Sequence, residues 1–202
     1  DDAYFPLLGW ATEHFGDTDR LLEDNQILNG TGIGTRPHGI FKNPGGTDEP
    51  AVTLSSTANN IDATQIRQLP YDVPEQYINE NTAWVFNRGS VGKTLAGLAG
   101  VSGEFIFRMG EYDNGLGQRH PDCLAGDPIV YSAFCADIAD GAFVGVYGDL
   151  KGYYLANHTG FSVRVLTEIY AETNQVVMLG RKRFGGVVAE PFRMRVLKSD
   201  NA

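Results

Sequence analysis

Two cysteines in 202 residues, Cys123 and Cys135, are too few for a disulfide framework and point to a reducing compartment. Histidine is equally sparse. His14, His38, His120 and His158 are scattered, so a zinc site on His120, Cys123 and Cys135 would need a fourth ligand from far along the chain. Buried or loop thiols are the simpler reading, and neither metal nor cofactor is expected. No run of about 18 apolar residues and no basic-then-apolar leader occurs, so neither a membrane span nor a signal peptide is visible. Basic residues are outnumbered, 16 Lys and Arg against 25 Asp and Glu, giving a net charge of −9. That balance argues against a broad nucleic-acid-binding face while leaving room for a local basic patch. Nor is there a recognised catalytic set: the polar loop Gly110 to Pro121 holds Asp113, Arg119 and His120 without an acid–base or nucleophile pattern. What the chain does have is 42% hydrophobic residues, enough for the core of one domain or two small ones.

The most patterned stretch is C-terminal, from Gly145 to Leu197. Phe161, Val163 and Val165 alternate with Ser162, Arg164 and Leu166, and a second run from Gln175 to Phe184 ends in Arg181, Lys182 and Arg183. Both arms have strand periodicity, with the polar break Ala171 to Asn174 between them. Gly185 and Gly186 let the backbone bend at low steric cost, Pro191 interrupts donation, and Arg193 to Leu197 resumes the alternation. The expectation is a long hairpin followed by a returning strand.

At the other end, Leu8, Ala11, Phe15, Thr18, Leu22 and Asn25 fall three or four apart, one stripe of a helix running to about Leu28. Glu13, Asp17, Asp19, Glu23 and Asp24 take the remaining faces, and Gly30 stands where a left-handed cap would end the helix. The alternating Gly30, Gly32 and Gly34 could be read as a phosphate cradle, but a cradle follows a strand and these follow a helix. A rigid turn is the simpler reading. Residues 41–60 then read as an exposed connection in which Ala51 to Leu54 is an edge-strand candidate. Ile61 to Leu69 is a helix candidate capped by Asp62, interrupted by Pro70 and restarted near Pro74.

Ala83 to Phe86 is a short buried-strand candidate followed by Asn87-Arg88-Gly89-Ser90-Val91-Gly92-Lys93-Thr94 and a helix-like Leu95 to Ala99. Strand, glycine loop, Gly-Lys-Thr and helix is the layout of a P-loop. A P-loop needs glycine where Asn87 stands, so that successive N–H groups can wrap phosphates. It also needs an aspartate ending a second strand, and the only candidate run, Phe143 to Asp149, is broken by Gly145 and Gly148. A helix start capped by Ser90 or Asn87, with Lys93 solvated, explains the same residues. A P-loop-like nucleotide-binding enzyme stays as an alternative.

Four segments carry a family resemblance. The order Gly148-Asp149-Leu150, Tyr153-Tyr154-Leu155, Val163 to Thr167 and GRKRFGGVVAEPFRMRVLK resembles the end of the major capsid protein of tailed bacteriophages, the Hong Kong 97 fold. The helix end Leu28-Asn29-Gly30 with the TGxGxxPxGI loop is similar to the end of that family's spine helix. Ala83-Trp84-Val85-Phe86-Asn87-Arg88 resembles its A-domain, as does Leu124 to Asp149. The resemblance covers most of the chain, most closely 22–40, 83–98 and 126–198.

The resemblance implies an α+β fold with a spine helix, a long P-domain hairpin and a mixed α/β A-domain. The P-domain is expected at 1–35 and 163–202, and the A-domain at 36–162. It also implies a non-enzymatic subunit of an icosahedral phage or prophage head, assembling as pentamers and hexamers around double-stranded DNA in the bacterial cytoplasm. Expected partners are copies of the chain, a scaffolding segment, a maturation protease, the portal and non-specifically packaged DNA, with no membrane. An acidic lining suits packed DNA that must not stick. The family's N-terminal arm and extended loop do not precede Asp1, so a stable core fragment or a short homologue is expected. The encapsulin, a cellular nanocompartment of the same fold, is a further alternative, although the Asn-Gly-Thr-Gly loop favours the phage branch. On the hairpin, Arg164, Arg181 and Arg183 can meet Glu168 and Glu172 of a neighbour, or can simply solubilise an exposed hairpin. Some relatives form an isopeptide bond here. Asn174 lies near the right place, but Arg181 stands where the assisting Glu would align, so cross-linking is not expected.

Overall fold

The computed structural model describes residues 7–42, 50–58, 61–97, 107–108, 122–166, 168–169, 171–173 and 175–200. Asp113, Arg119, His120 and Asn174 lie outside them. In chain order the elements are α1 (Leu7–Asn29), β1 (Ala51–Ala58), α2 (Ala63–Gln68), β2 (Thr82–Phe86), α3 (Ser90–Gly97), β3 (Phe107–Arg108), β4 (Cys123–Leu124), β5 (Asp127–Tyr131), β6 (Phe143–Asp149), β7 (Tyr153–Leu166), β8 (Val177–Val188) and β9 (Met194–Asp200). Seven strands form one mixed sheet in the order β1-β9-β6-β2-β5-β4-β3, while β7 and β8, among the described strands, pair only with each other. The fold is α+β, with the expected hairpin, the edge strand β1 and the buried strand β2.

Alternation in the central strands fills two cores. Trp84, Phe86, Tyr147 and Leu197 point to the face covered by Ile66 of α2, Leu95 of α3 and Leu69. Val85, Val146, Val196 and Met194 point to the other face, under Leu28 of α1, Ile40, Phe41 and Val188. All five residues of β2 are buried, as befits a strand covered on both sides. The indole of Trp84 donates to the Leu124 carbonyl at 3.0 Å, so its one polar group is satisfied. Asp62 caps α2 as expected, accepting from the Thr64 amide at 3.1 Å.

β6 is not broken by its glycines; they let neighbours close in. The Phe86 ring occupies the place a side chain at Gly145 would take. Gly148 has φ +138 and lies against the Arg193 carbonyl, so both its conformation and its space exclude a Cβ. Asp149, which ends the strand, is buried. Its carboxylate accepts from Asn79 Nδ2 at 2.9 Å, the Lys151 amide at 3.0 Å and Arg193 Nη1 at 3.0 Å. Arg193 Nε also donates to Glu190, and Tyr154 donates to Glu190 at 3.2 Å. The Gly152 carbonyl accepts from the amides of Ala189 (2.9 Å) and Glu190 (3.1 Å). These bonds close the base of the hairpin, where the chain leaves the sheet into β7 and returns from β8.

Two glycine expectations change here. Gly185 and Gly186 do not bend the chain out of the hairpin, because β8 continues through them to Val188. Gly186 leaves room for the Tyr153 ring, and its carbonyl accepts from the His38 amide at 2.8 Å. Gly30 is no left-handed cap: a Cβ there would strike the carbonyls of Pro37 and Gln26. The end of α1 is instead capped by a returning segment. Gly30 donates to Gln26 (2.9 Å), Ile40 to Ile27 (2.9 Å) and Phe41 to Leu28 (2.8 Å), which satisfies carbonyls a helix end leaves open. Gly32 and Gly34 do adopt positive φ, and the turn they make brings Thr31 opposite His38.

The stripe on α1 is mostly open in the structure. Leu22 is 51% exposed and Phe15 37%, so the apolar stripe is largely uncovered. The helix meets the hairpin through acidic residues, with Lys182 of β8 lying 2.8 Å from Asp19 and 2.6 Å from Glu23. Beside this contact Phe161 lies close over Gly180, with Phe15 nearby.

Two predictions follow from these joints. Burial pushes the Asp149 carboxyl upward, but its bonds from Asn79, Lys151 and Arg193, with the Arg193 charge, together hold its pKa below the ordinary value. Its contribution is therefore present above the usual carboxylate range and lost as pH falls through the depressed value. Asp149→Ala should cost about 3–5 kcal/mol, a fall in Tm of roughly 10 °C, with the difference shrinking below about pH 4; thermal melts from pH 3 to 8 check both. For Lys182, hydrogen bonds from the ammonium to Asp19 and Glu23 raise its pKa. Its contribution is present below the ordinary lysine range and lost as pH rises through the raised value. Lys182→Ala, which also leaves two carboxylates one turn apart, should cost about 1–3 kcal/mol, a deficit that melts should show as constant from neutral pH to about pH 10.

Candidate functional site

Strand alternation on β8 sorts three consecutive cations. Lys182 faces α1, so Arg181 and Arg183 face away from it. In the ladder Ser162 lies opposite Arg181 and Arg164 opposite Leu179, which puts Arg164 on the same outer face. Arg164, Arg181 and Arg183 are exposed and form no ion pair with any described residue. Glu168 and Glu172 are exposed at the far end of the hairpin, beyond the strands. The structure thus gathers the three arginines and leaves the two glutamates separate. Apolar side chains accompany them: Ile169 and Val176 at that end are each 60% exposed.

A second surface lies where α1 meets the sheet. There a groove of 530 Å³ is lined mainly by apolar groups, among them Leu21, Leu28, Ile40, Phe134, Leu155 and Tyr153. Asn29 fixes one wall by donating to the Phe134 carbonyl at 2.8 Å. Burial pushes the pKa of the Tyr153 hydroxyl up to about 12, and this hydroxyl makes no hydrogen bond to a described residue.

The Gly-Lys-Thr loop is engaged elsewhere. Asn87 Oδ1 accepts from the Gly89 amide at 2.7 Å and the Asn87 carbonyl from the Gly92 amide at 3.1 Å. Two amides that a phosphate would need are therefore turned onto Asn87. The aspartate weighed as a magnesium ligand, Asp149, is locked in the hairpin base. Cys135 is buried against the Val85 carbonyl, and burial pushes its thiol up to about 12. Among the described residues no cluster of His, Cys, Asp and Glu could hold a metal, and no helix is long and apolar enough to cross a membrane.

Sequence reasoning missed Asp149 with Arg193, and Asp19 and Glu23 with Lys182. A readable signal existed for the first: an aspartate that closes an apolar strand must find donors, and an arginine follows Pro191 in the returning segment.

Comparison with known proteins places this geometry. The sequence matches the phage capsid family over residues 1–199. No curated protein matches it. Among solved structures, the capsid of an empty GTA particle computed with C5 symmetry is similar with TM-score 0.80 and 20% identity, covering 99% of this chain and 68% of that one. A chain of Gordonia phage Cozz gives TM-score 0.63 and 18% identity over 97% of this chain and 64% of the other. For Mycobacterium phage Bobi the values are 0.61 and 15% over 100% and 68%. The chain belongs to the phage capsid family and is a structural subunit of a capsid.

Proposed function

We propose that the chain forms pentamers and hexamers that close an icosahedral head around double-stranded DNA, in a phage or prophage, and that it catalyses no reaction. The observation that carries this reading is the family match along almost the whole chain, joined to similarity with a capsid computed with C5 symmetry. Assembly takes place in the host cytoplasm, with a scaffolding segment, a maturation protease and the portal as partners. DNA is enclosed without specific contacts, and the net charge of −9 opposes its sticking to the shell.

Within the subunit, α1 and the hairpin act as the P-domain and the seven-stranded sheet with its helices as the A-domain. The hairpin leaves the sheet at Tyr153 and returns at Val188, while β9 pairs with β1 and β6, and these joints support a division between hairpin and sheet. Arg164, Arg181 and Arg183 serve subunit contacts. Apolar burial supplies the energy of such contacts while charge sets register and excludes wrong partners.

The test is charge reversal in the full-length subunit. Arg181→Glu with Arg183→Glu should abolish shells in negative-stain micrographs. Because both side chains are exposed and unpaired, the stability of the isolated subunit should stay within about 0.5 kcal/mol. Normal shells from the double variant would remove the arginines from the interface.

A further inference from the structure

The outer face of the hairpin has a complement on the same molecule. The hairpin strands carry Arg164, Arg181, Lys182 and Arg183 and no carboxylate. Lys182 is consumed within the chain by Asp19 and Glu23. The three arginines remain, on a chain whose net charge is strongly negative. On α1, Glu13, Asp17 and Asp24 are exposed and make no ion pair with a described residue. At 100° per residue they cluster on one side of the helix, turned away from Asp19 and Glu23. Arg20 is the one exposed cation in that span, so the stripe stays net acidic.

The dimensions agree as well. From Glu13 to Asp24 the helix rises about 16 Å. From the level of Arg164, opposite Leu179, to Arg183 the strand rises about 14 Å. Apolar groups sit within both stripes: Trp10 and Leu21, each about half exposed, beside the carboxylates, and Leu179 between Arg164 and Arg181. An arginine beside Trp10 can also stack on the indole.

The geometry points to a head-to-tail contact in which the Arg164, Arg181 and Arg183 face of one copy docks on the Glu13, Asp17 and Asp24 face of α1 in the next. The inference rests on the capsid reading and names the surface its arginines meet. The two faces belong to different elements, so the contact is heterologous, and repeated rotation of such a contact closes a ring. Lys182 between Asp19 and Glu23 is the same chemistry made inside one chain. The contact competes with the alternative that Glu168 and Glu172 receive the arginines.

Reciprocal charge exchange in the full-length capsid subunit tests it. Arg181→Glu with Arg183→Glu, and separately Glu13→Arg with Asp17→Arg, should each lower the yield of shells at least tenfold. The fourfold variant carrying all these changes should recover most of that loss. If the helix reversal assembles normally, or both reversals block assembly and the fourfold variant gives no recovery, the docking is overturned. Failure of the unaltered subunit to form shells or rings would instead overturn the capsid reading. Should the fourfold variant not fold, a subunit with Asp17→Cys, Arg181→Cys and Cys123→Ser decides. Chains linked into multimers by oxidation of its shells support the contact, and unlinked chains overturn it.

Discussion

The buried carboxylate of Asp149 is the constraint on which the hairpin's position depends. A carboxylate out of water costs several kcal/mol unless it is met on every side, and Asp149 is met by an amide from before β2, a backbone N–H from the turn after β6, and a guanidinium from the turn before β9. Those donors come from segments far apart in sequence, so satisfying one group brings the exit and return of the hairpin together. Gly148 makes this possible by letting the Arg193 backbone come within reach. Arg193 is in turn shared with Glu190, which Tyr154 also reaches, so both strands are tied at the base.

Away from the base β7 and β8 pair with no other described strand. An isolated two-stranded ribbon is marginal in water. Helix α1 supports it in the middle, through Asp19 and Glu23 on Lys182, and the loop after the helix supports it near the base, where the His38 amide donates to Gly186. The helix is itself held at one end, where Ile40 and Phe41 cap its carbonyls and Asn29 reaches Phe134. Helix and hairpin therefore brace each other and share one footing on the sheet.

Local chemistry explains what could be read from sequence. The buried β2, the two arms of the hairpin, the cap at Asp62 and the edge strand β1 each follow from residues within a few positions. The helix α1 was also legible, but its contacts were not. Periodicity places Leu22 and Phe15 on one stripe but does not say what covers it, and in this chain both remain largely uncovered. The glycines misled for a related reason. Their sequence shows permitted bending, but Gly145, Gly148, Gly30 and Gly186 are needed because something from elsewhere presses on them, and only the tertiary structure shows what. Of the candidate interface, the strand alternation that separates Arg181 and Arg183 from Lys182 was readable; which side faced the helix was not.

That alternation carries the last step. On β8 a period of two sends Lys182 to the helix and its neighbours to solvent, so three adjacent cations serve two purposes without interfering. The inward cation is partly buried, which lessens screening by salt, and is held by two carboxylates, a contact that stabilises the subunit before any neighbour arrives. The outward arginines contribute nothing measurable to the isolated chain, because an exposed charge without a partner is already well solvated. In the contact proposed above, a second copy excludes water around them, and guanidinium geometry would make the resulting gain directional. A subunit arranged in this way can be stable alone and still bind its neighbours in a defined register, which is what closing a shell from identical parts requires.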